Sequence, residues 1–151
     1  MASNLKVIID NTQSKIKIPS GTRMLVRRSC HATLQNENYD KKTNINVIFS
    51  DNEQLNDYSQ FRFSEFEAPE IITIPGEEGS EDLGKLIISV ERILELTKVY
   101  NRPFEMGIVF ASVHGVLNLL GQYYTDQNTK NTMKIKEAEL MGKLDYPPLS
   151  R

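Results

Sequence analysis

A single cysteine, Cys30, among 151 residues excludes an internal disulfide. The N-terminal stretch MASNLKVIID lacks the basic start and the long apolar run of a signal peptide. Both absences predict a reducing, cytoplasmic setting. Long uncharged runs are scarce as well, and only Met106 to Thr125 raises a membrane question. That run contains His114, Asn118, Gln122 and three glycines, which lipid would bury at a cost. A fully buried core helix explains the same all-round apolarity, so no membrane span is expected. Neither an internal repeat nor a low-complexity linker divides the chain. The length suits one domain, 1–151, with a flexible tail from about 146.

A strong excess of one charge is also missing, since the net charge is only -2. The charges are nevertheless unevenly spread. Residues 1–42 hold eight Lys and Arg against three acids, whereas residues 51–84 hold ten acids against Arg62 alone. A molecule polarised in this way can offer its basic end to a polyanion; two solvated surfaces of opposite sign are the plainer reading.

What is present reads as alternating strands and helices. KVIIDN (Lys6 to Asn11), INVIFSD (Ile45 to Asp51), PEIITIP (Pro69 to Pro75) and KLIISVE (Lys85 to Glu91) are short, β-favouring runs that predict four strands. TRMLVRRSCHATLQ supports a helix weakly, because Arg28 interrupts the face that holds Leu25 and Ala32. Its other face sets Arg23, Arg27 and His31 at i, i+4 and i+8, where they project together and suit RNA phosphates. Asp51 or Asn52 is placed to cap a helix over NEQLNDYSQF, and GEEGSEDLG reads as an acidic, mobile loop. RILELTKVYN predicts a short helix. Pro103 suits the start of a long one over about Phe104 to Leu120, apolar on nearly every side, which Gly121 is placed to stop. A final helix is expected over Thr129 to Leu144 with its charges outward. The fold class is therefore α+β, one mixed sheet of about four strands covered by helices, with a buried helix at its centre.

The stretch HGVLNLLGQYY, His114 to Tyr124, begins like a metal-binding helix and then withholds the ligands. Residues four apart share a helix face, so His114 and Asn118 point at one spot, and a turn at Gly121 brings Tyr124 back toward it. A zinc site of this spacing would want two more histidines. The alternative is a polar structural cluster in which Asn118 and Tyr124 are the hydrogen-bond partners that a buried imidazole needs. A zinc peptidase is excluded, because such enzymes place a glutamate directly after the first histidine and Gly115 stands there.

The same stretch resembles the signature H-G-x-L-H-L-x-G-Y-D-H of the YbeY family of ribosomal RNA maturation endonucleases. His114, Gly115, Leu117, Leu119 and Gly121 match in register. LGKLIISVERILELTKVYN, INVIFSDNEQLN and PEIITIP are similar to further segments of that family in the same order, so the resemblance covers about residues 6–144. It implies a zinc-dependent endoribonuclease acting on single-stranded RNA in ribosomal RNA maturation and ribosome quality control, with the small ribosomal subunit as partner. By the same resemblance Asn118 and Tyr124 occupy the positions of the second and third ligand histidines beside His114, and Arg62 takes the place of a catalytic, substrate-facing arginine. An amide is a poor zinc ligand, and a phenol ordinarily loses its proton only near pH 10. Two function classes follow: an impaired nuclease, or an RNA- or ribosome-binding protein that does not cleave.

Overall fold

The computed structural model describes residues 4–149. Four strands, β1 (Leu5–Asn11), β2 (Thr43–Ser50), β3 (Ile71–Pro75) and β4 (Asp82–Ser89), form one mixed sheet in the order β1-β2-β4-β3. β1, β2 and β4 run parallel, and β3 closes the edge antiparallel to β4. Five helices accompany them: α1 (Thr22–Asn36), α2 (Asn52–Asn56), α3 (Val90–Tyr100), α4 (Phe104–Leu119) and α5 (Gln127–Lys143). The α+β class and the four-stranded mixed sheet are as the sequence predicts.

Side chains alternate across a strand, and the two sheet faces are covered by different elements. Ile45, Val47, Phe49, Ile71, Leu86 and Ile88 join the main core with α1, α3, α4 and α5. Ile72 and Ile87 face the other way and pack with Leu55 of α2. β4 is covered on both faces, which is why its sequence is a continuous apolar run and not an alternating one.

α4 lies in the middle of the main core. Every residue from Met106 to Asn118 is buried, with Val109, Val113 and Leu117 at 0% exposure. A Cβ on Gly115 would sit 2.7 Å from Ile71 Cδ1 and 2.8 Å from Leu86 Cδ2, so this glycine sets how closely helix and sheet approach. Gly115→Ala gains about 1 kcal/mol of helix propensity and loses roughly 1–3 kcal/mol to overpacking. The expected net result is a Tm lower by a few degrees in thermal melting; an unchanged or raised Tm would mean that Ile71 and Leu86 have room to move aside.

Several boundaries differ from the sequence reading, each for a local reason. α1 is a full 15-residue helix whose buried face centres on Thr22, Val26, Ser29, Cys30, Thr33 and Leu34, with Leu25 and Ala32 half-buried at its border, so the exposed Arg28 does not interrupt it. Asp51 caps α2 by accepting from the Gln54 N–H at 2.8 Å. That helix stops at Asn56, and a separate 3₁₀ turn covers Ser59–Phe61. β4 takes up Asp82, Leu83 and Gly84 from the expected loop, and Val90 and Glu91 open α3, because the Ser89 hydroxyl caps it. α5 begins at Gln127, where Asp126 and Thr129 form a capping box. Its charges do not all face outward, since Glu137 is only 2% exposed. Beyond α5, Tyr146 and Leu149 pack against the core, and residues 150 and 151 of the expected tail lie outside the described residues. No helix among the described residues is long and apolar enough to cross a membrane.

Candidate functional site

His114 projects from the centre of α4 into a cluster assembled from three segments. Its Nδ1 lies 2.6 Å from Glu137 Oε2 of α5, and its Nε2 lies 2.8 Å from Glu67 Oε2 of the irregular segment before β3. Phe110, one turn earlier on α4, stacks against the imidazole with centroids 5.4 Å apart, and Tyr124 meets it edge-on at 4.5 Å. Asn118, one turn later, directs its Nδ2 to the same Glu67 oxygen at 3.3 Å and stands 3.5 Å from His114 Nε2.

Tyr124 is anchored at both ends. Its hydroxyl donates to Glu137 Oε1, and its backbone N–H donates to Glu67 Oε1 at 2.8 Å. The Ser64 hydroxyl donates to its carbonyl oxygen. Gly121 makes this possible: at φ 91 it takes the left-handed conformation that ends α4 and reverses the chain. His114, Asn118 and Tyr124 thus come together as the spacing predicts, but the partners that satisfy the imidazole are two glutamates.

The cluster is almost fully buried, with His114 at 0% exposure. Burial alone would push the imidazole toward its neutral form, yet the hydrogen bonds and charges of Glu137 and Glu67 outweigh it and raise the pKa to about 9. Burial likewise works against the Glu67 carboxylate. The hydrogen bond and charge of His114, the Tyr124 N–H and the Asn118 amide prevail, and its pKa lies below the ordinary carboxylate value. The raised pKa favours a protonated imidazole between Glu67 and Glu137, and charge on the ring strengthens both of its hydrogen bonds.

This arrangement does not fit zinc. A ligating histidine presents a lone pair to the metal, whereas both His114 ring nitrogens are engaged by carboxyl oxygens of Glu137 and Glu67. Asn118 Oδ1 is buried without a hydrogen-bond partner, because turning the amide the other way would set oxygen against the Glu67 carboxylate. One amide oxygen does not make a zinc site. Among the described residues no group of three or more His, Cys, Asp or Glu side chains is arranged to hold a metal ion. Chemically the cluster ties α4, α5 and the segment around Glu67 together.

Arg62 lies beside this segment. Its Nη1 donates to Ala68 O at 2.9 Å, and it lines an open cleft of about 260 Å³ with Asn52, Asn56, Glu67 and Arg92. Arg23 and Arg27 are exposed on α1 and His31 is half-buried there, all three outside the His114 cluster. The Arg23 guanidinium lies 5.9 Å from the Phe49 ring centroid.

Sequence reasoning missed Glu67 and Glu137. For Glu137 a signal exists: Met133, Glu137, Leu140 and Met141 form the buried stripe of α5, with one carboxylate among apolar residues. Glu67 sits in a segment without periodicity, among the acids of a charge-rich stretch, and has no comparable signature.

The family model described as endoribonuclease YbeY matches residues 8–145. The chain belongs to the YbeY family. A protein named endoribonuclease YbeY from Caldanaerobacter subterraneus is 29% identical, the match covering 93% of this chain and 98% of that protein. Its namesake from Clostridioides difficile is 27% identical over 93% and 97%. The solution structure of a Thermotoga maritima protein shares the fold, with a TM-score of 0.57 at 19% identity, covering 93% of this chain and 92% of the other. Within the matched region, Asn118 and Tyr124 pack against the Glu67–His114–Glu137 cluster, Asn118 through Glu67 and Tyr124 through both glutamates.

Proposed function

We propose that this YbeY-family protein is a cytoplasmic binder of single-stranded RNA, directed at ribosomal RNA and the small ribosomal subunit, in which zinc-dependent cleavage is impaired or lost. It would serve ribosomal RNA maturation and ribosome quality control by holding RNA rather than cutting it. The observation that carries this reading is the engagement of both His114 nitrogens by buried carboxylates. With Asn118 and Tyr124 in place of imidazoles, no nitrogen donor remains to hold a catalytic metal. The exposed Arg23 and Arg27 on α1 supply positive charge for phosphates, whereas Arg62 and Arg92 share their cleft with Glu65 and Glu67.

The test combines metal analysis of the purified protein with binding and cleavage of single-stranded RNA. Expected are substoichiometric zinc, RNA binding that weakens as salt rises, and no cleavage above a metal-free control. Asn118→His with Tyr124→His should then raise thermal stability in zinc by an amount that grows with the logarithm of zinc concentration, while the parent shows little response. One tightly held zinc per chain in the parent, with zinc-dependent cleavage, would return the protein to the active nucleases.

A further inference from the structure

The region following Gly121 has a second feature that the metal-site signature does not account for. Phe63 and Tyr123 stack face to face, with centroids 4.2 Å apart and planes 15° from parallel. Phe63 is 56% exposed, and Phe61, at the end of the preceding 3₁₀ turn, is 44% exposed. An exposed phenylalanine stacked on a half-buried tyrosine leaves apolar surface in water that a core could have taken up.

The pair opens onto a cavity of about 530 Å³ against the start of α5, within the roughly 300–1,000 Å³ of small-molecule sites. Met133 forms part of its apolar wall, and Gln122, Asn128 and Thr132 bring amide and hydroxyl groups to it. No lining residue is charged, although the chain carries 20 acids. At its edge Lys136 donates to Gln122 Oε1 and to Glu37 Oε1, both at 3.0 Å. That ion pair leaves no free charge at the edge, so a flat, neutral, polar-edged ring matches the lining, whereas a carboxylate or a bare phosphate finds no charge inside it.

We propose that the cavity takes an unpaired nucleobase of single-stranded RNA, which continues the Phe63–Tyr123 stack while Asn128 and Thr132 meet its edge. The inference rests on the RNA-binding reading above and names a subsite for it, separate from the His114 cluster. Stacking tolerates every base because every base has a π-face, so the site would give affinity with little sequence preference.

The test measures binding of single-stranded RNA decamers, rA10 and rU10, and of an abasic decamer of the same length, by fluorescence anisotropy. Phe63→Ala and Tyr123→Ala should each weaken binding of both homopolymers by about tenfold. Phe63→Leu, which keeps apolar volume without a π-face, should weaken it similarly, and Phe63→Trp should preserve it. The salt dependence of the remaining binding should not change, because phosphate contacts set that slope. The abasic decamer should bind the parent weakly and be indifferent to these substitutions. Circular dichroism melting identifies any variant that fails to fold, and the leucine and tryptophan variants then carry the comparison. A parent that binds RNA together with variants that bind equally well, or an abasic decamer that binds as tightly as RNA, overturns this inference alone. A parent that holds no RNA overturns both the inference and the reading beneath it.

Discussion

Glu137→Leu is expected to destabilise the protein by on the order of 3–5 kcal/mol, the cost of breaking a buried ion pair by removing one partner. Leucine fills the volume but leaves His114 Nδ1 and the Tyr124 hydroxyl facing an apolar side chain. The imidazole must then give up its proton or remain charged with one partner instead of two. At this chain length the loss corresponds to a Tm lower by roughly 6–20 °C. Removing the whole cluster by Glu67→Leu, His114→Phe and Glu137→Leu should cost less than the sum of the three single changes, because it leaves no buried charge unpaired. Chemical denaturation of the single variants and the triple variant provides the measurement. A Glu137→Leu protein within 1 kcal/mol of the parent would mean that the buried pair contributes little and that another interaction anchors α5.

Stability should also depend on pH in a manner set by His114. Its pKa is raised to about 9 in the folded protein by Glu137 and Glu67 against the opposing effect of burial, while in the unfolded chain it returns to about 6.5. A raised folded pKa means that the contribution is fully present below about pH 6.5 and is lost as pH rises through about 9. The difference amounts to on the order of 3 kcal/mol. Glu67 acts in the opposite direction: its lowered pKa contributes stability above the ordinary carboxylate range, which is lost as pH falls through its folded value. The cluster is therefore most stabilising between about pH 5 and 6.5. Thermal melts should show Tm falling from pH 6 to pH 9.5, and His114→Gln should flatten that slope. A parent whose Tm is level across this interval would show that the imidazole is neutral in the folded state.

Much of the fold is legible from local chemistry. The β-branched runs that become β1 to β4 and the uncharged run that becomes α4 each carry their signal within a few residues. Turn and cap residues are legible for the same reason, as with Asp51 and Gly121. The convergence of His114, Asn118 and Tyr124 is local too, since one helix turn and one glycine turn separate them.

The sequence by itself determined the order of the elements, the depth of α4 and the convergence of Asn118 and Tyr124 on His114, because periodicity, turn chemistry and residue identity are properties of neighbours along the chain. Only the tertiary structure decided which partners satisfy the buried imidazole. Glu67 lies 47 residues before His114 and Glu137 lies 23 after it. No spacing rule joins such positions, and they meet because α5 and the segment before β3 both pack against α4. The protonation state follows from the same packing, since a buried imidazole alone would be neutral and two carboxylates brought to its opposite nitrogens make it a cation.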